Sequence, residues 1–120
     1  MMKRIISVLV CVLLLCSLIG CSTYEVSTEA KLLAKLAIDI TDRYLDGEVA
    51  PMTASTVVQN CCDNIKKLKE YEDNDDLQSL RGRILIIGYS LTLVHMGTDD
   101  RNDVIEVRNY VAQKIGEKTR

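Results

Sequence analysis

Apolar side chains recur at intervals of three and four residues in four separate stretches between residues 29 and 115. This spacing places the apolar side chains of each stretch on one face of an α-helix and leaves the other faces to polar residues. The four apolar faces are, in chain order, Leu33, Leu36, Ala37, Ile40 and Tyr44; Ala54, Val58, Cys61, Ile65 and Leu68; Leu77, Leu80, Ile84, Ile87, Leu91 and Val94; and Val104, Val107, Val111 and Ile115. The pattern predicts four amphipathic helices, each with one buried face.

Residues typical of helix ends separate these stretches. Gly47 and Gly97 suit the left-handed conformation that often follows a helix, and Pro51 suits a first helical turn. Asp75 and Gln78 have the spacing of a capping box for the third helix. Because the connections are short, we predict an all-α, up-down-up-down four-helix bundle. The alternative is a three-helix core with the first helix loosely docked or swapped into a partner.

The third stretch has the widest apolar surface. Four further apolar residues extend its face, namely Leu85, Ile86, Tyr89 and Leu93. The segment 84–94 has the composition of a buried strand, but a pattern of about 20 residues favours a helix. Gly82 and Gly88 each lower helix propensity by about 1 kcal/mol relative to Ala, and we expect them to allow close approach of a neighbouring helix. We therefore predict that this helix is the central element of the core.

The first 21 residues differ from the rest of the chain. Lys3 and Arg4 precede an apolar run that ends in Leu18-Ile19-Gly20-Cys21. The run is shorter than the ~20 apolar residues that a membrane-spanning helix needs. A charged start, a short apolar run and a small residue at its end are instead typical of a secretory signal peptide.

The four residues Leu18-Ile19-Gly20-Cys21 resemble the lipobox of bacterial lipoproteins. The resemblance implies that residues 1–20 are a signal peptide that is removed, and that Cys21 then carries a diacylglyceryl lipid. Two acyl chains, palmitate for example, hold a protein on a membrane far more firmly than one. Residues 21–28 would be a lipidated tether and residues 29–120 the helical bundle domain, on the extracytoplasmic face of the cell membrane or the outer membrane. The alternative is an uncleaved anchor in which Cys21 is incidental.

The composition of the processed chain excludes some functional classes. Of fifteen Lys and Arg residues, thirteen remain once Lys3 and Arg4 are removed, against seventeen Asp and Glu, which gives a formal net charge of −4. The basic surface that nucleic-acid binding requires is therefore not expected. Phe and Trp are missing from the sequence, so few side chains could stack on bases, sugars or flat cofactors.

Cys61 and Cys62 are the most unusual candidates for a chemical role. Adjacent helical residues point about 100° apart, so a disulfide between them would distort the helix. Neither a second cysteine pair nor a Cys-His pair lies at zinc-binding spacing. We interpret Cys61 as a core residue and Cys62 as a residue on the flank of the second helix. An intermolecular crosslink through Cys62 in an oxidising compartment is the alternative.

Other candidate sites have little support in the sequence. His95 is the one histidine and lies close to Asp99 and Asp100, but it has no paired nucleophile. The acidic turn at 73–76 lacks the glycine and the closing glutamate of a calcium-binding loop, since Gln78 and Ile84 occupy those positions. Phosphate-binding and nucleophile motifs are also missing. We predict no catalytic residue, no metal site, no cofactor besides the lipid on Cys21, and no enzymatic activity.

These observations favour a small lipid-anchored module that binds or scaffolds a protein partner of the cell envelope. The alternatives are a small-molecule carrier with a cavity between its helices, or a lipoprotein that protects the cell against phage or toxin. An exposed apolar groove would favour binding of a protein partner. An enclosed pocket of several hundred Å³ would favour a carrier.

Overall fold

Four α-helices make up most of the computed structural model, which describes residues 23–120. We number them α1 to α4, with a short 3-10 turn, Tyr71–Asp73, between α2 and α3. Their bounds are Thr28–Leu45, Pro51–Lys66, Asp75–Met96 and Arg101–Ile115. No strand occurs in this part of the chain. The predicted all-α class is confirmed.

The helices pack in the order of the chain. Each helix contacts the next one, α1 returns to contact α4, and the diagonal contact between α1 and α3 is slight. Gly47 and Gly97 adopt φ angles of 79° and 81°, as predicted for the ends of α1 and α3. Short connections between consecutive packed helices make neighbours antiparallel. The fold is therefore the predicted four-helix bundle, and α1 is an integral part of it.

The buried face of α1 is made mainly of small residues. It consists of Ala30, Ala34, Ala37, Ile38, Ile40, Thr41 and Leu45. The prediction was wrong for Leu36, whose side chain is 50% exposed. Leu36 lies two positions from the buried Ala34 and Ile38, which corresponds to about 200° around the helix, so its side chain faces outwards.

The start of α3 differs from the predicted capping box. Asn74 is the N-cap residue, and its side-chain oxygen accepts a hydrogen bond from the backbone N–H of Leu77 at 3.1 Å. Gln78 does not cap the helix. Its side-chain amide instead donates to the backbone carbonyls of Tyr71 and Glu72 at 2.8 and 3.1 Å, which ties the 3-10 turn to α3.

The inner face of α3 is the centre of the core, as predicted. Five of its large side chains are fully buried, namely Leu77, Leu80, Ile84, Ile87 and Leu91. Gly88 lies against α2, and a Cβ atom added there would be 3.5 Å from side-chain atoms of Val58 and Gln59. The expectation of close approach is confirmed at Gly88. It was wrong at Gly82, because a Cβ there would meet nothing within 4 Å.

An ion pair between a buried arginine and a partly buried aspartate connects α4 to α1. The guanidinium of Arg108, a residue only 5% exposed, donates to both carboxylate oxygens of Asp42 at 2.9 and 3.0 Å. Arg120 contacts the same carboxylate at 3.2 Å and also binds Asp46 at 2.8 Å. The chain after α4 therefore folds back and closes this side of the bundle.

None of the helices described between residues 23 and 120 combines the length and apolarity needed to cross a membrane.

Candidate binding surface

A second apolar stripe runs along the outer face of α3. It consists of Gly82, Ile86, Tyr89, Leu93 and Met96, at alternating intervals of four and three residues. Each of these residues follows a residue of the inner apolar face by two positions. Two positions correspond to about 200° around a helix, so the two stripes lie on opposite sides of α3. We call this second stripe the outer α3 stripe.

The outer α3 stripe is open to solvent along most of its length. Ile86 is 41% exposed, Tyr89 71% and Met96 67%, while Leu93 is half-buried. The buried face was expected to extend over Leu85, Ile86, Tyr89 and Leu93, and that expectation was wrong for Ile86 and Tyr89. The outer face of a bundle helix is usually polar, and a contiguous exposed apolar surface commonly marks an interaction site.

Shallow clefts flank this stripe on both sides. A cleft of about 360 Å³ lies between α2 and α3 and is lined by Gln59, Asp63, Leu85, Tyr89 and Thr92. A cleft of about 290 Å³ lies between α3 and α4, and its lining includes Ile86, Tyr89, Leu93 and Val107. Both clefts open to the surface, with Tyr89 on the ridge between them. The ridge and its two clefts together form a surface on which another helix could pack.

Charges of opposite sign lie along the groove between α3 and α4. Arg83 lines a second cleft of about 180 Å³ nearer the start of α3, where its guanidinium is 4.3 Å from the centre of the Tyr110 ring. Asp99 and Asp103 line the cleft of about 290 Å³ nearer the end of α3, and Glu106 lines both clefts. Ser90 donates a hydrogen bond to the carboxylate of Asp99 at 3.1 Å, which holds this acid beside the outer α3 stripe.

The segment before α1 is bound to the end of the bundle where α3 begins and α4 ends. Tyr24 donates its backbone N–H to the carbonyl of Lys114 at 2.7 Å. Glu25 donates its N–H to Asp76 at 2.8 Å and accepts from the side-chain amide of Asn74 at 3.0 Å. Thr28 already belongs to α1. Tyr24 and Glu25 of the predicted tether at 21–28 are thus held against the bundle, while Cys21 and the predicted signal peptide lie outside the described residues.

The cysteine pair is buried in the contact between α2 and α3. Cys61 is 2% exposed and Cys62 is 0% exposed, so the prediction of a core Cys61 is confirmed. The placement of Cys62 on a flank was wrong. Its thiol faces the backbone carbonyl of Arg81 at 3.7 Å, and Arg81 donates in return to the carbonyl of Cys62 at 3.1 Å. An intermolecular crosslink through Cys62 would require α2 and α3 to separate.

Burial also controls the acidity of both thiols. Removal from solvent raises the pKa of Cys61. It raises the pKa of Cys62 from 9.0 to about 12, although the positive charge of Arg81 acts in the opposite direction. Because the thiolate is the nucleophile and the metal ligand, these thiols are poor candidates for chemistry in the folded protein.

The acidic turn at 73–76 lines an open cleft of about 450 Å³ together with Glu25 and Glu70, but His95 does not join the carboxylates that follow it. His95 is exposed at the end of α3, while Asp100 is the N-cap of α4 and forms a capping box with Asp103. Within residues 23–120, no group of three or more His, Cys, Asp or Glu side chains is arranged to hold a metal ion. Among the described residues, the outer α3 stripe is therefore the strongest candidate for a functional surface.

The protein is an all-α four-helix bundle whose third helix, α3, has apolar residues on two opposite faces. Comparisons with protein-family models, with characterised proteins and with solved structures find no match.

Proposed function

We propose that this protein is a lipid-anchored module of the bacterial cell envelope that binds or scaffolds a protein partner through the outer α3 stripe. The observation that carries the proposal is the second apolar stripe on α3, opposite the face that fills the core. A helix whose two opposite faces are both apolar has more apolar surface than its own bundle covers. Association with another protein removes that surface from water.

The shape of the surface favours a protein partner over a small molecule. The clefts beside Tyr89 are open, whereas sites for small ligands are concave and enclose most of the ligand surface. Between α2 and α3, the space beside Gly88 is occupied by Val58 and Gln59. A carrier cavity at this position is therefore not supported, and binding of an extended apolar surface is the better interpretation.

The anchoring part of the proposal rests on the lipobox-like residues and on the bound segment that follows them. Cys21 precedes Thr23, the first described residue, by two positions, which corresponds to at most about 7 Å of extended chain. Tyr24 and Glu25 are bound to the end of the bundle. A lipid on Cys21 would therefore keep this end of the bundle close to the bilayer, on the extracytoplasmic face.

Mass spectrometry of the protein extracted from membranes tests the anchor. We expect an N-terminal Cys21 that carries a diacylglyceryl adduct. The Cys21→Ala variant is the matched control, and it should keep residues 1–20 and lack the lipid. A mature protein that retains Met1 would contradict the anchoring part of the proposal.

Site-specific photo-crosslinking in intact cells tests the binding part. A photoreactive amino acid placed at Tyr89 should form covalent adducts of defined mass. The same amino acid at Leu32, a 61% exposed residue of α1, is the matched control and should form few adducts. Equal adduct formation at both positions would argue against a specific binding surface on α3.

A further inference from the structure

The outer α3 stripe is symmetric about Tyr89. Gly82 and Met96 lie seven positions on either side of it, which is about 10 Å along the helix in each direction. Ile86 and Leu93 lie three and four positions away. The alternating spacing of four and three residues is the spacing with which two helices pack side by side along a long seam.

We propose that the protein seated on this stripe is a second copy of the same chain, with its α3 antiparallel to the first and its Tyr89 at the two-fold axis. This inference rests on the proposed function, because it requires the outer α3 stripe to be a binding surface. It adds the identity of the partner and the direction of its helix.

The sizes of the side chains favour the antiparallel arrangement. When two α3 helices run in opposite directions, Met96 of each copy lies opposite Gly82 of the other copy. A Cβ at Gly82 would meet nothing within 4 Å, so this position offers room for a long side chain. A parallel pair would place Gly82 against Gly82 and Met96 against Met96, with a gap at one end and crowding at the other.

The charges also favour the antiparallel arrangement. A two-fold axis perpendicular to α3 places the α4 helices of the two copies on the same side of the interface. It also places the N-terminal end of one α3 beside the C-terminal end of the other. Arg83 of one copy therefore lies beside Asp99 and Asp103 of the second copy. The opposite charges meet twice in such a pair, once at each end, and complementary charges of this kind set the direction of packing.

The arrangement has a consequence for the membrane. In each copy, Tyr24 and Glu25 are bound to one end of the bundle. In the antiparallel pair, these two ends would lie at opposite ends of the dimer. Two lipid anchors in these positions reach the same bilayer when the α3 helices lie along the membrane surface. The dimer would then be a flat platform held at both ends.

Cysteine crosslinking of the full-length protein in its membranes tests this inference. Under mild oxidation, Tyr89→Cys should shift from the monomer mass to twice that mass. Co-expression of one chain with Gly82→Cys and a second chain with Met96→Cys should give the same shift to twice the monomer mass. Positions 82 and 96 of different copies meet only in an antiparallel pair. The parent protein reports any background from the native cysteines, and Leu32→Cys is the matched surface control on α1.

The outcomes separate the inference from the proposed function. A dimer with Tyr89→Cys and with the mixed pair, but not with Leu32→Cys, supports the antiparallel dimer. Crosslinking of Tyr89→Cys to a protein of another mass would overturn the second-copy assignment and leave the binding surface standing. No crosslink at position 89 beyond that of Leu32→Cys, in a variant with an unchanged melting temperature, would overturn both.

Discussion

The thiol of Cys62 shows how burial controls the chemistry of a single side chain. Its sequence position, next to another cysteine, suggests disulfide or metal chemistry in an oxidising compartment. Full burial against α3 raises its pKa to about 12 and keeps it protonated and enclosed. The pair is therefore explained by packing between α2 and α3.

The raised pKa of Cys62 predicts a specific loss of stability at high pH. In the unfolded chain this thiol ionises near its ordinary value of 9.0, whereas in the folded chain it keeps its proton until about 12. Above pH 9.0 the unfolded state binds fewer protons, so the free energy of unfolding falls as the pH rises towards 12. Denaturant titrations of the reduced protein should show this fall, with a contribution from Cys62 of up to about 1.4 kcal/mol per pH unit.

The Cys62→Ala variant is the control for this titration. It should be less stable at neutral pH because a buried side chain is lost, but its stability should fall less steeply above pH 9.0. If the free energy of unfolding falls with pH equally steeply in the two proteins, the Cys62 thiol ionises in the folded state as readily as in the unfolded state.

Leu91 and Tyr89 are two positions apart on α3 and should respond differently to truncation. Leu91 is 0% exposed and Tyr89 is 71% exposed. We expect Leu91→Ala to lower the free energy of unfolding by about 2–5 kcal/mol, as loss of a buried leucine does. Tyr89→Ala should change it by no more than about 0.5 kcal/mol in the monomer. Urea unfolding of both variants measures the difference, and equal losses would mean that the two faces of α3 are misassigned.

Among the helices, α3 shows most clearly what the sequence could and could not predict. The spacing of its inner face correctly identified Leu80, Ile84 and Leu91 as core residues. The outer face was missed because apolar residues on both sides of a helix resemble one broad stripe in the sequence. The offset of two positions between the stripes was the available sign of a second face.

Hydrogen bonds between residues that are distant in the sequence account for other differences. Asn74 and Asp75 are both good N-cap residues, and the choice between them depends on contacts of Asn74 with Glu25, far away in the chain. The bound segment before α1 depends on the same contacts between distant residues. The spacing of apolar residues along the sequence contains no information about such contacts, so this segment was predicted to be a simple tether.

The two glycines of α3 provide a test of helix packing. A large side chain at Gly88 would have to displace Val58 and Gln59 of α2, whereas one at Gly82 would enter open space. We expect Gly88→Leu to cost about 1–3 kcal/mol, as overpacking does. In the monomer, Gly82→Leu should instead raise the free energy of unfolding by about 0.5–1 kcal/mol, because leucine favours a helix more than glycine does. The melting temperatures of the two monomeric variants should move in opposite directions, and a loss of stability in both would show that Gly82 is also a packing contact within the bundle.

Over the whole molecule, the ion pair between Arg108 and Asp42 joins the first and last helices. Asp42→Ala would leave the buried guanidinium without its carboxylate partner, and we expect it to lower the free energy of unfolding by about 2–3 kcal/mol. Asp46→Ala removes only the more exposed contact with Arg120 and should cost less than about 1 kcal/mol. Chemical denaturation of both variants tests the difference. Equal small losses would mean that this side of the bundle is held by apolar contacts alone.

The proposed function requires that a protein partner covers the outer α3 stripe in the membrane. Maleimide labelling of Tyr89→Cys measures this most directly, with Leu32→Cys as the reference for a freely exposed position. We predict that Tyr89→Cys reacts slowly in native membranes and rapidly after dilution into detergent as a monomer, while Leu32→Cys reacts rapidly in both. Equally rapid labelling of Tyr89→Cys in native membranes and in detergent would show that no partner covers the outer α3 stripe.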